Sequence, residues 1–215
     1  MSKEKGKPIN IPERIFITGT DTGIGKTLIS AVLLAGLKGK YWKPVQSGIE
    51  DITDTQWIME KSGLGESHFL EETYRLQQPL SPHAAAEADG VHIDLDKFQI
   101  PDTDKGETLI IEGAGGIMVP LNDKILMTDL IRKCDAPVIL VTDSQLGTIN
   151  HTLLSTTYLK GMGISIFGII MNGQKNSINR DAIEHFGKVE VIAEIEYLKT
   201  VNPETLKKCF INNFT

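Results

Sequence analysis

Apolar runs of strand length alternate with longer segments of helical periodicity along most of the chain. Several of these runs are continuously apolar, which is typical of strands whose two faces are both covered. The pattern predicts six strands, namely RIFITG (14–19), YWKPV (41–45), TLIIEG (108–113), PVILVTD (137–143), SIFGIIMN (165–172) and VEVIAEI (189–195).

Helical patterns lie between the predicted strands. The first of them is apolar on nearly every side, which predicts a buried helix. Strands that alternate with helices indicate βαβ units, so we predict an α/β fold with a mainly parallel sheet flanked by helices. Ligands of such sheets bind beyond the carboxyl ends of the strands. The predicted helices are 26–38, 54–62, 127–134, 149–162 and 179–187, and loops from 63 to 105 are expected to cover a site.

Length and composition indicate a single domain over residues 1–215, with 40% hydrophobic residues. Residues 1–12 are polar and lack the apolar core of a secretory signal, so we predict a flexible leader and a cytoplasmic protein. The net charge is −6, and its two signs are interspersed. This pattern argues against nucleic acid or a membrane as a partner. Cys134 and Cys209 have no metal-binding or redox spacing, which predicts two reduced thiols.

The segment GTDTGIGKT (19–27) follows the first strand and opens the first helix. Glycines there let backbone amides approach phosphate oxygens, and the helix N-terminus adds partial positive charge. The context predicts a P-loop nucleotide site, although five residues rather than the usual four separate Gly19 from Gly25. Lys26 would reach the terminal phosphates, and Thr27 would place its hydroxyl on Mg²⁺. The predicted nucleotide contacts in this loop are Gly23, Ile24, Gly25, Lys26, Thr27 and Leu28.

Asp21 lies inside this anion-binding loop, where a negative charge is costly unless it serves a purpose. Its carboxylate either meets a metal ion or a cationic substrate amine, or it caps the turn by accepting from backbone amides. The residues alone leave both roles open.

Four further polar residues follow other predicted strands. Lys43 would share the crevice with Lys26, which implies additional negative charge there, or it is an ordinary exposed lysine. Asp54 is a carboxylate for magnesium or the N-cap of a helix. Glu112 directly follows an apolar strand, where a metal or lysine partner would offset its burial. Asn172 either bonds a purine edge or forms a turn with the glycine after it.

Taken together, these motifs resemble the dethiobiotin synthetases. The resemblance covers about residues 15–172 in the family's order, in the stretches FITGTDTGIGKT, KPVQSG, YRLQQPLSPHAAA, IIEGAGGIMVPL, LVTDSQLGTINHTLLS and GIIMN. It implies a P-loop fold with a seven-stranded sheet, a homodimer and a ligase that closes a ring. The substrates implied are 7,8-diaminopelargonate, CO₂ or bicarbonate, and ATP with Mg²⁺. The products implied are dethiobiotin, ADP and phosphate, formed through an N-carbamate and a carbamic-phosphoric anhydride.

The resemblance also implies residue roles. Thr27, Asp54 and Glu112 would hold magnesium, while Asn172 and the 193–197 region would face adenine. Helix-start residues from the partner subunit would bind the distal carboxylate of the substrate. The catalytic residues implied are Lys26, Lys43, Thr22 and Ser47, and the substrate contacts are Thr22, Lys43, Ser47, Pro82, Gly115, Gly147, Thr148 and Asn150.

Two stretches depart from the family pattern. Gly23 stands where some relatives carry a glutamate, and AEIE (193–196) stands where the family has GEIP. The main alternative class is the P-loop switch ATPase with a deviant loop. Such proteins carry an extra lysine early in the loop, where this chain has Asp21. An amidotransferase-type synthetase would need a glutaminase domain, for which 215 residues leave no room.

Overall fold

The computed structural model describes residues 9–215 and contains a seven-stranded parallel sheet with the strand order β4-β2-β6-β1-β7-β8-β9. This confirms the predicted α/β fold and its parallel sheet. The strands are β1 Arg14–Gly19, β2 Lys40–Trp42, β4 Phe69–Leu70, β6 Leu109–Gly116, β7 Val138–Asp143, β8 Ile166–Asn172 and β9 Val191–Ile195, with β3 Val45–Ser47 and β5 Tyr74–Leu76 paired separately.

Helices cover both faces of the sheet. Successive side chains of a strand point to opposite faces, so an apolar strand offers both faces to helices. Ile15 and Ile17 of β1 face one hydrophobic layer, whereas Phe16 faces the other. The first layer contains α1, α2 and α7, and the second contains α3 to α6. The helices are α1 Lys26–Leu37, α2 Asp54–Ser62, α3 Pro82–Ala88, α4 Met127–Cys134, α5 Thr148–Gly161, α6 Ser177–Gly187 and α7 Pro203–Phe214, with 3-10 turns at Glu66–His68 and Leu95–Lys97.

The predicted strand 41–45 is wrong, because the structure divides this segment between two sheets. β2 ends at Trp42 and β3 begins at Val45. Pro44 lies at the break, where its missing N–H cannot continue a strand ladder. Lys43 lies in this break, directly after the end of β2, and its Nζ reaches Glu112 of β6.

The helix α7 was not among the predicted helices, although its sequence carries a start signal. Asn202 is the N-cap and accepts from the Thr205 N–H at 2.9 Å, and Pro203 occupies the first turn. Proline is favoured there because its ring presets the helical φ angle. The short strands β4 and β5 were also missed, since two or three residues show no readable alternation.

The predicted leader spans 1–12, and residues 1–8 lie outside the described residues. The Ile9 N–H donates to the Phe214 carbonyl at 3.0 Å, and Ile11 is buried. These contacts hold residues 9–11 against α7. The two thiols are free and buried, and burial raises the pKa of Cys134 to about 12. In the described part of the chain, every helix is too short or too polar to cross a bilayer.

Candidate functional site

The phosphate loop between β1 and α1 is fastened to the end of β8. Asn172 Nδ2 donates to the Ile24 carbonyl at 2.8 Å. Gly25 has a φ of 96°, and a Cβ there would collide with the Asn172 amide. Glycine is required at this position because L side chains rarely adopt that φ and because the amide fills the space.

Lys26 begins α1 and is buried against its own loop. Its Nζ donates to the Asp21 carbonyl at 2.9 Å. Burial lowers the pKa of Lys26 from 10.5 to about 8, and attraction by Glu112 offsets only part of this effect. The Asp21 carboxylate accepts from the Thr22 N–H at 2.7 Å, so the capping role left open above is the one formed in this structure.

The three residues assigned to magnesium come together at the start of α1. The Thr27 hydroxyl lies 2.8 Å from Asp54 Oδ1 and 3.0 Å from Glu112 Oε1. A hydroxyl has one proton and can donate fully to only one of these acceptors. The hydroxyl alone therefore cannot satisfy both carboxylates, and their paired negative charge suits a cation.

This donor set fits Mg²⁺. The ion prefers oxygen ligands and is usually held by one or two carboxylates, waters and substrate phosphates. Within residues 9–215 no group of three or more His, Cys, Asp or Glu side chains could hold a metal ion alone. A magnesium ion here would therefore rely on two carboxylates and a hydroxyl, with phosphate and water completing its shell.

Lys43 bridges the same two carboxylates. Its Nζ lies 2.6 Å from Asp54 Oδ2 and 3.1 Å from Glu112 Oε1. Burial by itself would lower the pKa of Lys43, but Glu112 and Asp54 outweigh it and raise the pKa above its usual value. Burial would raise the pKa of Asp54, yet Lys43 outweighs it and lowers that pKa. Lys43 and Asp54 therefore each favour the charged form of the other.

Asp54 is the first residue of α2 and not its N-cap. Thr53 is the N-cap, with its hydroxyl accepting from the Gln56 N–H and its own N–H donating to Gln56 Oε1. The N-cap alternative for Asp54 is therefore wrong. Because the Thr53 side chain serves as the N-cap, the Asp54 carboxylate is available to pair with Lys43.

Two residues near the carboxylates were missed by the sequence reasoning. The Tyr41 hydroxyl donates to Glu112 Oε2 at 3.1 Å. Burial, followed by the charge of Glu112, raises the pKa of Tyr41 well above its usual value. Gln46 Oε1 accepts from the Asp54 N–H at 3.2 Å. The signal for Tyr41 was its place two residues before Lys43, since such residues share one face of an extended chain.

A cleft of about 610 Å³ opens beside these groups. The Ser47 hydroxyl lines it and is buried without a hydrogen-bond partner among the described residues. The structure thus brings most of the assigned residues to one cavity. Those that line it are Thr22, Gly23, Gly25, Lys26, Thr27, Lys43, Ser47, Asp54, Pro82, Glu112 and Gly115.

A second hollow of about 460 Å³ is lined by Ser144, Gln145, Gln174, Lys175, Asn176 and Tyr197, and of the residues assigned to adenine it includes Tyr197 alone. Asn172, which bonds to the phosphate loop, does not line this hollow, and its Oδ1 is buried without a partner in the described chain. The glutamates of AEIE are paired with neighbours. Glu194 lies 3.3 Å from Arg180, and Glu196 lies 3.6 Å from Lys175.

The residues assigned to the substrate carboxylate lie away from the cleft lining of the same chain. Gly147 caps α5 with a φ of 103°, and the Thr148 hydroxyl donates to the Asp143 carbonyl at 2.8 Å. Asn150 borders a shallow apolar groove with Leu153, Leu154, Thr157 and Tyr158. Leu154 of this groove is exposed, as is Leu146, which precedes α5. Within one chain, these residues are not brought to the phosphate loop.

Comparisons with known proteins give the relatives of this chain. A family model described as an AAA domain matches residues 13–205. The ATP-dependent dethiobiotin synthetase BioD of Nitrobacter hamburgensis is 43% identical over 201 residues, which cover 94% of each chain. The protein of the same name from Rhodopseudomonas palustris strain HaA2 is 44% identical over 200 residues, or 93% of each chain.

Solved structures share the fold at low identity. A ParA family ATPase from Chlorobium tepidum has a TM-score of 0.50 and 13% identity, covering 94% of this chain and 91% of that one. The MinC:MinD cell division complex of Aquifex aeolicus has a TM-score of 0.51 and 14% identity, covering 94% and 87%. At such identities the likeness shows the P-loop fold alone.

Proposed function

Because the chain belongs to the dethiobiotin synthetase family, we propose that it is an ATP-dependent ligase that forms dethiobiotin. The observation that carries the proposal is Lys43 held between Asp54 and Glu112, beside the phosphate loop. A loop that only bound nucleotide would not need a buried lysine and two carboxylates at this point.

The proposed reaction joins CO₂ to 7,8-diaminopelargonate. One amine of the diamine attacks CO₂ and releases a proton to solvent, which gives an N-carbamate. A carbamate oxygen takes the γ-phosphoryl group of ATP, which leaves ADP and a carbamic-phosphoric anhydride. The second amine attacks the carbonyl carbon and loses a proton to solvent, phosphate departs, and the ureido ring closes. Both amines must be neutral to attack, so we expect activity to fall in acid.

The lysines would neutralise the charges of this sequence. The Lys43 ammonium faces the cleft and would turn from its carboxylates to a carbamate or phosphoryl oxygen. Lys26 would exchange the Asp21 carbonyl for a phosphate oxygen. The phosphate would also supply a negative charge that offsets the cost of burying the ammonium. Fixed charges of this kind stabilise a transition state because they need no reorganisation as charge develops.

Thr27, Asp54 and Glu112 would hold Mg²⁺, which supplies positive charge to the phosphates when it is bound. The oxygen-only donor set supports this assignment. The backbone amides of residues 23–28 would surround the phosphates, and Asn172 would face adenine through its unpartnered Oδ1.

The reacting end of the diamine would lie in the cleft. The Ser47 hydroxyl and Thr22 would contact it, with Pro82 and Gly115 shaping the wall. A buried hydroxyl without a partner is costly and gains a hydrogen bond when a polar substrate arrives. This supports Ser47 as a substrate contact.

We further propose that a homodimer supplies the site for the distal carboxylate. Gly147, Thr148 and Asn150 lie at the N-terminus of α5, where backbone N–H groups favour an anion. In one chain they lie away from the cleft, and the apolar groove beside Asn150 suits burial against a second copy. We expect this enzyme in the cytoplasm, without nucleic acid or membrane partners.

The proposal can be tested by product analysis. The protein is incubated with 7,8-diaminopelargonate, Mg²⁺, [¹³C]bicarbonate and ATP, GTP or CTP in turn, and phosphate and organic products are measured together. We expect dethiobiotin that carries one ¹³C atom, in amounts equal to the phosphate released. The nucleotide series shows which base the hollow near Tyr197 selects.

Omission of each component and unlabelled bicarbonate are the controls. Phosphate release that ignores the diamine, with no labelled product, would contradict the proposal and indicate a switch ATPase instead.

A further inference from the structure

Glu112 is one of the most deeply buried charged residues described, and both of its oxygens are engaged. Its side chain is 0% exposed. Oε1 faces Thr27 and Lys43 at 3.0 and 3.1 Å, whereas Oε2 accepts from the Tyr41 hydroxyl at 3.1 Å. The carboxylate is thus divided into an oxygen that faces the cleft and an oxygen that faces the core.

The sheet register makes this contact possible. Tyr41 of β2 pairs with Ile110 of β6, and Glu112 lies two residues further along β6. Residues two apart share a face of the sheet, so the Tyr41 ring extends along that face toward Glu112. The ring is fully buried and packs edge to face on Phe69, with centroids 6.1 Å apart. Tyr41 is therefore held in place independently of its hydrogen bond.

The hydrogen bond matters most when Lys43 moves. In the proposed reaction Lys43 turns toward substrate oxygens, which removes one donor from Glu112 Oε1. A buried carboxylate that lacks donors is costly, and it can rotate to find others. Tyr41 lies outside the cleft lining, so a substrate in the cleft does not compete for its hydroxyl.

We propose that Tyr41 is a positioning residue for Glu112, whose hydroxyl holds Oε2 so that only Oε1 is presented to the metal and to Lys43. The role rests on the proposed function, because it requires Glu112 to serve the metal-nucleotide site. Partners that hydrogen-bond metal-ligating carboxylates orient them, and their loss commonly costs about 10- to 100-fold in metal affinity or activity.

The test compares two tyrosines. Tyr41→Phe removes only the hydroxyl and leaves the ring on Phe69. Tyr74→Phe is the matched control, since Tyr74 is also buried. Its ring packs edge to face on Phe98 with centroids 5.3 Å apart, and its hydroxyl accepts from the Asp94 N–H at 2.8 Å. Mn²⁺ affinity in the presence of ADP is measured by electron paramagnetic resonance, alongside kcat and KM.

We expect Tyr41→Phe to raise the Kd for Mn²⁺ about 10-fold and to lower kcat about 10- to 100-fold, with the KM for the diamine changed less than about two-fold. Tyr74→Phe is expected to leave all three unchanged. In a Glu112→Ala background, Tyr41→Phe should have no further effect on Mn²⁺ affinity. That result would show that the hydroxyl acts through Glu112.

Unchanged Mn²⁺ affinity in Tyr41→Phe would overturn the positioning role, as would an equal loss in Tyr74→Phe or an additive loss in the Glu112→Ala background. These outcomes are separate from failure of the proposed function. A wild-type protein that binds Mn²⁺ with ADP but makes no dethiobiotin would contradict only the assigned reaction, and the Mn²⁺ comparison would still decide the role of Tyr41.

Discussion

Two buried lysines of the site experience opposite environments. Lys26 has a backbone carbonyl as its direct partner, and burial lowers its pKa to about 8. Lys43 touches two carboxylates, and these raise its pKa despite burial. Lys26 is thus prepared for an anion that arrives with the nucleotide, whereas Lys43 already has its counter-charges.

The lowered pKa of Lys26 predicts a pH dependence of stability. Below about pH 8 the lysine is protonated in both states, so the cost of burying its charge is present in full. Between about pH 8 and 10.5 only the unfolded chain keeps the proton, so this lysine makes the free energy of unfolding rise with pH. Lys26→Met should therefore be more stable than wild type at pH 7, and the difference should shrink toward pH 10.

Urea unfolding of the nucleotide-free protein between pH 7 and 10 measures this difference. Lys105→Met is the control, because Lys105 is exposed on a turn and should show no such trend. A difference for Lys26→Met that stays constant across the range would mean that burial does not govern this lysine.

Replacing Lys43 should mainly affect catalysis. Lys43→Met keeps much of the side-chain volume but removes the charge that faces the cleft. We expect kcat to fall about 10²- to 10³-fold, the scale for loss of one charge-stabilising contact. Lys40→Met is the control, since Lys40 pairs with Glu107 outside the cleft. Turnover of Lys43→Met close to that of the control would remove Lys43 from the mechanism.

At the scale of elements, helix starts determine where functional side chains lie. The Thr53–Gln56 capping box begins α2 so that Asp54, its first residue, faces Lys43 and Thr27. Gln46 supports the same turn from β3 through the Asp54 N–H. The Asp54 carboxylate, which we propose for magnesium, is therefore positioned by a helix terminus, which frays more easily than a helix interior.

Removing this cap should change both stability and activity. We expect Thr53→Ala to lower the free energy of unfolding by about 1 kcal/mol. We also expect it to reduce the affinity for Mg²⁺, because the helix start that positions Asp54 loses its cap. Asn202→Ala is the control, because it removes a similar capping box from α7, whose start lies beside Gly63 at the C-terminal end of α2 rather than beside Asp54. Chemical denaturation and Mg²⁺ titration of the reaction measure the two effects.

We expect both variants to lose a comparable amount of stability, and only Thr53→Ala to lose Mg²⁺ affinity. Equal Mg²⁺ dependence of the two variants would show that the start of α2 does not position Asp54.

At the scale of the whole molecule, the proposed substrate site is divided. The reacting end lies in the cleft, and the α5 terminus with Asn150 lies elsewhere on the same chain. Leu154 is 63% exposed on α5, beside the groove at Asn150. A second copy placed on α5 would cover this apolar surface and could bring its own α5 terminus to the cleft.

We therefore expect the protein to sediment as a dimer and Leu154→Asp to shift it toward monomer, because a buried unpaired charge opposes association. The variant should bind the diamine more weakly while its ATP affinity changes little. Ile178→Asp is the control, since Ile178 is exposed on α6 outside this groove. Analytical ultracentrifugation and binding titrations measure both effects. A monomeric wild type with full activity would contradict the shared site.

The sequence by itself determined the parallel α/β architecture, the phosphate loop and the candidates Thr27, Lys43 and Glu112. These signals are local, because hydrophobic periodicity, glycine spacing and the position after a strand can be read along the chain. β1 and α2 have the predicted bounds for the same reason.

The tertiary structure alone decided how those residues are paired. The contact of Tyr41 with Glu112 depends on strand order and register. The break at Pro44 and the N-cap at Thr53, by contrast, follow local signals that the sequence reading missed. Tyr41 and Glu112 are 71 residues apart, and no local pattern states which side chains meet across neighbouring strands. Their contact follows from β2 lying beside β6, which is a property of the folded sheet.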